Sequence, residues 1–161
     1  MQKRNVGFEL LVYDSMMELS EEDQVLMKAA INARENAYAP YSNFKVGAAV
    51  KMSTGEIVIG NNQENASYPS GLCAERVAVY QAGAVYPGIP IATIAISASS
   101  SNYKVSRPAA PCGNCRQSIA EYEQKQSDPI RILMMGEIGQ IYNCSSIADI
   151  LPLGFDNSYL Q

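Results

Sequence analysis

The chain has 161 residues, of which 47% are hydrophobic, and this length and composition predict a single globular domain. Its net charge of −4 argues against a nucleic-acid-binding protein, because such proteins usually carry a basic surface. No apolar stretch approaches the roughly 20 residues of a membrane span, so we expect a cytoplasmic protein with no membrane partner.

The first predicted elements are an N-terminal extension and a long helix. Residues 1–19 form the expected extension, in which residues 8–12 are compatible with a strand at a sheet edge. The helix is expected to begin after Ser20, a typical N-cap residue that is followed by three acidic residues, and to end at Pro40. Its apolar positions recur at helical spacing: Leu26, Ala29, Ala30, Ala33 and Ala37.

Two strands and a polar segment are expected next. Residues 44–52 and 56–60 read as strands, and residues 53–55 have the Ser-Thr-Gly composition of a hairpin turn. The small residues at 47–49 would allow another element to approach closely. Residues 61–71 are polar and are predicted to form a loop.

The second half of the chain alternates helices and strands. In order, we expect a helix from Cys73 to Gly83, a strand at 89–98, a helix from Cys112 or Gly113, strands at 130–135 and 141–142, and a short helix to Leu151. Strand–helix–strand units favour parallel neighbours with right-handed crossovers. We therefore predict an α/β fold of three layers, α-β-α, with a mixed five-stranded sheet, in one domain over residues 20–161.

The residue types restrict the chemistry of any functional site. There are four cysteines and no histidine, so the usual metal ligand and the usual general base are both missing. In a reducing compartment a C-x-x-C pair is more often metal-binding or redox-active than a disulfide. Metal chemistry in this chain would therefore depend on thiolates, with a carboxylate to move protons.

Two cysteine motifs predict a zinc site. Cys73 is followed two residues later by Glu75, and Cys112 and Cys115 form a P-C-x-x-C motif. Catalytic zinc has three protein ligands and leaves one position to water or substrate. A cysteine with a nearby glutamate, followed by P-C-x-x-C, is the layout of zinc deaminases, in which the glutamate is not a ligand and carries protons.

Positive charge is needed near such a site, because three thiolates leave the zinc ion with a net negative charge. Both cysteine motifs fall where a helix is expected to begin, and helix N-termini supply free N–H groups and partial positive charge. Arg76 and Arg116 each follow a motif directly, and either could place a guanidinium against a thiolate. Arg76 is our first candidate, and a purely surface role remains open for both.

Two alternatives to a catalytic site remain. Cys144 could complete a closed, structural four-cysteine zinc site, or all four cysteines could be buried and free. Cys144 stands alone in a predicted turn, and a closed site would leave Glu75 beside a negative cluster without benefit. The residues therefore favour the open, catalytic site.

With these motifs in view, the chain resembles the cytidine deaminase family, in its small homotetrameric form with three cysteine ligands on zinc. The resemblance covers roughly residues 22–155 and rests on the stretches 38–49, 62–66, 73–76 and 111–117. Residues 1–19, an enlarged loop at 99–107 and the loosely matching flanks of Phe155 depart from the family pattern.

The resemblance implies hydrolytic deamination of cytidine, and of deoxycytidine, to the uracil nucleoside and ammonia in pyrimidine salvage. It implies one Zn²⁺ per subunit on the three cysteines, with Glu75 as the proton shuttle. Alternatives are deamination of another small cytosine-containing compound and a non-catalytic zinc protein. The acidic charge disfavours action on polynucleotides.

The resemblance also implies how a nucleoside is bound. Asn62 and Glu64 would hold the ribose 3′-hydroxyl. Phe44 would lie near the pyrimidine ring, whose edge the backbone of Ala74 would read.

Two aromatic residues are implied at a subunit junction. Phe155 resembles a C-terminal aromatic residue lent to the site of a neighbouring subunit in a homotetramer, and Tyr68 would lie near that junction. Four of the substrate-binding residues also have an ordinary structural interpretation: Phe44 as core, Asn62 as a turn residue, Glu64 as a solvated loop charge and Phe155 as a cover for the sheet.

Overall fold

A computed structural model describes residues 1–160 and contains six strands and four α-helices. The strands are β1 (Leu11–Tyr13), β2 (Phe44–Met52), β3 (Ile57–Asn61), β4 (Ile91–Ser100), β5 (Arg131–Met135) and β6 (Ile141–Cys144). The helices are α1 (Glu21–Glu35), α2 (Ala74–Val85), α3 (Gly113–Glu123) and α4 (Ile147–Ile150). None of the helices in this part of the chain is long and apolar enough to cross a membrane.

The strands form one mixed sheet in the order β1-β6-β5-β4-β2-β3. The prediction of five strands was wrong by one, because β1 pairs antiparallel with β6 at the sheet edge. A strand was expected at residues 8–12, and the paired residues are Leu11–Tyr13. A strand of this length is too short for its periodicity to mark it in the sequence.

Alternating side chains on the strands build the predicted three layers. Ala49, Ala95 and Leu133 pack with Leu26, Met27 and Ala30 of α1 on one face of the sheet. Their strand neighbours, including Val50, Ile94 and Ile132, pack on the other face with residues of α2 and α3. The α/β class and the α-β-α layering are thus confirmed, since successive strand residues face opposite sides.

Only one of the two strand–helix–strand units joins neighbouring parallel strands. β4 and β5 are parallel neighbours across α3. β3 and β4, which α2 connects, are separated by β2, and β2 pairs antiparallel with both. The expectation of parallel neighbours was wrong for this unit because the opening hairpin places β2 inside the sheet.

The first helix begins where the sequence predicts and ends earlier. The backbone N–H of Asp23 donates to Oγ of Ser20 at 3.2 Å, which confirms the N-cap. The helix ends at Glu35 rather than at Pro40, so Ala37 lies outside it. Tyr38 instead exchanges backbone hydrogen bonds of 3.0 and 2.9 Å with residues 62 and 64, which draws this segment alongside the polar loop.

Small residues let the helices approach the sheet. A Cβ added at Gly47 would overlap the backbone of α1 at Ala30 and Arg34, and one added at Gly60 would lie 2.5 Å from the Ala78 nitrogen of α2. The close approach predicted at 47–49 is therefore confirmed. Gly83 was wrongly expected to close α2, which continues to Val85.

Candidate active site

Three cysteine sulfurs meet where two helices begin. Cys73 and Cys112 are the N-cap residues of α2 and α3, and Cys115 lies in the first turn of α3. The Sγ atoms of Cys73 and Cys112 are 3.8 Å apart, and those of Cys112 and Cys115 are 3.5 Å apart. A tetrahedral zinc site with Zn–S bonds of about 2.3 Å requires sulfurs about 3.8 Å apart. The cluster therefore fits one zinc ion.

The fourth cysteine takes no part in this cluster. Among the described residues, the group that could hold a metal ion consists of Cys73, Cys112 and Cys115. Cys144 is the last residue of β6, rather than part of a turn as predicted, and it is buried in the core. Because β6 pairs Cys144 with Ile132 of β5, a closed four-cysteine site is not formed.

The two candidate arginines have different partners. Nη2 of Arg76 lies 4.0 Å from Sγ of Cys73, whereas Arg116 donates hydrogen bonds to the carbonyl oxygens of Pro111 and Ile150. Nε of Arg76 is buried without a hydrogen-bond partner in the described part of the chain. A partly buried guanidinium that lies beside the sulfur of Cys73 suits the negative charge of a zinc ion on three thiolates.

The protonation of the site reflects burial and this close packing. Glu75 is only 5% exposed, and burial, together with the charge of Cys73, raises the pKa of its carboxyl to about 7. The pKa of Cys73 is lowered to about 5, first by hydrogen bonding with Cys115 and then by the nearby guanidinium of Arg76. A carboxyl that titrates near neutral pH can both accept and release a proton.

A cavity of about 420 Å³ opens beside the sulfur cluster. Its wall includes two of the cysteines, Cys73 and Cys112, and the side chains of Glu75 and Arg76. Volumes of about 300–1,000 Å³ are typical of sites for small molecules. The polar groups of the site thus face a space of the right size for a small substrate.

Comparisons with known proteins agree with this arrangement. The sequence model of the family described as "Cytidine and deoxycytidylate deaminase zinc-binding region" matches residues 20–127. The cytidine deaminase of Halalkalibacterium halodurans is 40% identical over 132 residues, which cover 82% of this chain and 92% of that protein. The chain belongs to the cytidine deaminase family.

Solved structures of cytidine deaminases share the fold. The crystal structure of the enzyme from Burkholderia pseudomallei has a TM-score of 0.73 and 38% identity, and the match covers 85% of this chain and all of that one. The enzyme from Mycobacterium tuberculosis gives a TM-score of 0.65 at 29% identity, over 85% of this chain and 99% of that one.

Within this deaminase, the two residues predicted to bind ribose also line the cavity. Oδ1 of Asn62 accepts from the Val46 N–H at 2.8 Å, and its Nδ2 donates to the Phe44 carbonyl at 3.0 Å. These two hydrogen bonds of the Asn62 amide hold the start of β2 in place. Phe44, the first residue of β2, also lines the cavity.

Glu64 is held by its own set of donors. One carboxylate oxygen accepts from the backbone N–H groups of Tyr41 and Ser42 at 2.8 and 3.2 Å, and the other accepts from the Ser42 hydroxyl. Slight burial acts to raise the Glu64 pKa, but these hydrogen bonds outweigh it and lower the pKa. The carboxylate remains ionised and fixed in place, and its role toward ribose stays a prediction.

The remaining predicted residues occupy different surroundings. Tyr68 lines the cavity and is 86% exposed. Ala74 is the first residue of α2, and its side chain is buried. Phe155 is exposed, stacks on Tyr159 with ring centroids 5.3 Å apart, and is not among the described residues that line the cavity of its own chain. Their substrate roles stay predictions.

The structure adds cavity residues that the sequence analysis did not assign. Tyr41 and Ser42, to which the sequence analysis gives no role of their own, hold the Glu64 carboxylate. Oγ of Ser42 also accepts from the Phe44 N–H at 3.0 Å, a local serine turn that the spacing of the two residues allows. Ala109 and Ala110 line the cavity as well, and such small apolar residues carry no chemical signal in a sequence.

Proposed function

We propose that the chain catalyses the hydrolytic deamination of cytidine, and of deoxycytidine, to the corresponding uracil nucleoside and ammonia. The observation that carries this proposal is the buried Glu75 carboxyl on the wall of a cavity that is also lined by Cys73 and Cys112 of the three-cysteine cluster. Relatives named cytidine deaminases from Halalkalibacterium halodurans and Sporosarcina psychrophila, at 40% and 35% identity, support the same reaction.

Zinc, when bound by Cys73, Cys112 and Cys115, supplies a Lewis acid that lowers the pKa of water. Glu75 accepts a proton from the attacking water and delivers it to N3 of the cytosine ring, which makes C4 electrophilic. The water oxygen adds to C4, and Glu75 then moves a proton from the resulting C4 hydroxyl to the amino group on C4, which leaves as ammonia and leaves a C4 carbonyl. A pKa of about 7 lets one carboxyl perform both transfers near neutral pH.

We assign supporting roles to the residues around this carboxyl. Arg76 offsets the negative charge of the thiolates, which its contact of 4.0 Å with Cys73 supports. Asn62 and Glu64 hold the ribose 3′-hydroxyl, Phe44 lies against the pyrimidine, and the backbone of Ala74 reads the edge of the base. If ribose is held at the 3′ position and not at the 2′ position, cytidine and deoxycytidine are both substrates.

We also propose a homotetramer with sites shared between subunits. The exposed aromatic rings of Tyr68 and Phe155 support it, since each could contact a neighbouring subunit. Residues 1–19 are assigned to an extension and residues 20–161 to a single deaminase domain, which the start of the family match at residue 20 supports. Free thiolate ligands also suit the reducing cytoplasm.

One assay tests the reaction directly. The loss of cytidine absorbance is followed with the purified protein, with the protein after treatment with a chelator, and after zinc is added back. We expect turnover that stops on chelation and returns with zinc, together with similar kcat/KM values for cytidine and deoxycytidine. Absence of ammonia release from both nucleosides by the zinc-loaded protein would refute the proposal.

A further inference from the structure

The side chain of Arg116 connects the segment before the zinc ligand Cys112 with the C-terminal part of the chain. Its Nε donates to the carbonyl oxygen of Pro111 at 2.8 Å, and its Nη1 donates to that of Ile150 at 2.6 Å. Pro111 directly precedes the ligand Cys112, and Ile150 is the last residue of α4. A single guanidinium thus links two segments that lie 39 residues apart in the sequence.

Pro111 is buried, but among the described residues few other hydrogen bonds hold the segment before Cys112. Cys112 is the N-cap of α3 but makes no side-chain capping hydrogen bond. Pro111 has no backbone N–H to donate. The carbonyl oxygen of Cys112 accepts from the backbone N–H of Arg116 at 2.9 Å, and that of Pro111 accepts from the Arg116 side chain. The contact specific to the Arg116 side chain is therefore the one with the Pro111 carbonyl, next to Cys112 in the chain.

The same helix holds both ends of α4. At the beginning of α4, the Glu123 carboxylate accepts from Oγ of Ser146 at 2.6 Å and from the Ile147 N–H at 3.2 Å. At its end, Arg116 satisfies the Ile150 carbonyl, which has no partner within the helix. Arg116 and Glu123 are about two helical turns apart on α3, so α4 is fastened to α3 at two points.

The next residue on α3 extends this connection. Nε2 of Gln117 donates to the carbonyl oxygen of Phe155 at 2.9 Å. Consecutive side chains that directly follow the ligand Cys115 therefore hold α4 and the segment after it. Of these side chains, only that of Arg116 also contacts the segment before Cys112, at the Pro111 carbonyl.

We propose that Arg116 is a positioning residue, which fixes the Cys112 thiolate for zinc by anchoring the Pro111 carbonyl to the end of α4. Its guanidinium contacts two carbonyl oxygens, whereas the guanidinium that contacts a sulfur of the cluster is that of Arg76. This inference rests on the zinc site of the proposed function and is independent of which nucleoside reacts.

The test is the rate at which zinc passes from the folded, zinc-loaded protein to a colorimetric chelator. Removing an outer partner that orients a metal ligand typically weakens metal binding by about 10–100-fold. We expect Arg116→Ala to speed zinc transfer by about that factor. Far-UV circular dichroism at the assay temperature establishes that the variant is folded when zinc leaves.

Glu123→Ala is the control, because it frees the other end of α4, together with the Ile130 N–H, and leaves the Pro111 contact intact. We expect zinc transfer close to the wild-type rate from this variant and from Gln117→Ala. Equal acceleration by Arg116→Ala and Glu123→Ala would overturn the proposal, since general loosening of α4 would then explain both. Wild-type zinc transfer from Arg116→Ala would overturn it as well.

Arg116→Lys provides a second test if the alanine variant does not fold. Lysine keeps the charge but lacks the planar group that donates to two carbonyls in a fixed geometry. We expect faster zinc transfer than from the wild type, whereas transfer at the wild-type rate would contradict the proposed anchoring. Because zinc transfer needs no substrate, these outcomes are distinct from a failure to deaminate cytidine.

Discussion

The hydroxyl of Ser42 donates a hydrogen bond to the carboxylate of Glu64, across the wall of the cavity. The same oxygen accepts from the backbone N–H of Phe44 at 3.0 Å. Ser42 therefore links the carboxylate proposed to hold ribose with the backbone of Phe44, whose ring is proposed to lie against the base. The contact with Phe44 is local, whereas Glu64 lies 22 residues away in the sequence and meets Ser42 only in the folded chain.

Ser42→Ala is expected to raise KM for cytidine by about tenfold, with a smaller change in kcat, since a hydrogen bond to a charged group contributes about 1.5–3 kcal/mol. Steady-state kinetics with cytidine and 3′-deoxycytidine measure the effect. The analogue lacks the hydroxyl proposed to bind Glu64, so its kcat/KM is expected to change less. Ser42→Thr, which retains the hydroxyl, is the control. Equal losses for both substrates would contradict the assigned role of Glu64.

Glu75→Gln is expected to lower kcat by about 10²–10⁴-fold, the usual contribution of a positioned acid or base. The amide is similar in size but cannot carry protons, so zinc content and fold are expected to stay unchanged. Ammonia release and metal analysis measure the two properties on the same sample. Glu121→Gln, a change on the exposed face of α3, serves as the control. A rate near that of the wild type would remove Glu75 from the mechanism.

Cys112→Ala and Cys144→Ala are expected to differ in zinc content. Cys112 belongs to the sulfur cluster, and Cys144 is buried in the core outside it. We expect loss of zinc and activity from the first variant and retention of both by the second. Metal analysis of the two purified variants measures their zinc content, and cytidine turnover measures their activity. Loss of zinc from a folded Cys144→Ala protein would contradict the three-cysteine assignment.

Gly47→Ala is expected to destabilise the fold by about 3 kcal/mol or more. Overpacking of a filled interior typically costs about 1–3 kcal/mol. The cost here is expected at the upper end or above, because the added Cβ meets backbone atoms rather than a flexible side chain. The new Cβ would overlap Ala30 and Arg34 of α1, which cannot move independently of the helix. Denaturant unfolding measures the change in free energy. At Gly7 an added Cβ meets nothing within 4 Å, so Gly7→Ala is the control. Equal stability of the two variants would contradict the close packing of α1 on β2.

Elements with a local signature were predictable. Ser20 marks the start of α1 through a hydrogen bond within one turn, and the cysteine motifs lie at the starts of α2 and α3 as expected. Elements that depend on distant partners were not. β1 is a strand only because β6 pairs with it, and α1 ends early because Tyr38 bonds to the backbone of the polar loop. Propensity describes neighbours in sequence and carries no information about such pairing.

The amino-acid sequence alone determined the chemical identity of the site. Cys112 and Cys115 lie three residues apart at a helix start, so one turn of α3 brings their sulfurs together, and the lack of histidine left a carboxylate to move protons. Only the tertiary structure decided which groups surround them. Cys73 and Cys112 are 39 residues apart, and their sulfurs meet because α2 and α3 pack on the same face of the sheet. That packing also separates Arg76, which faces the sulfurs, from Arg116, which the end of α4 engages.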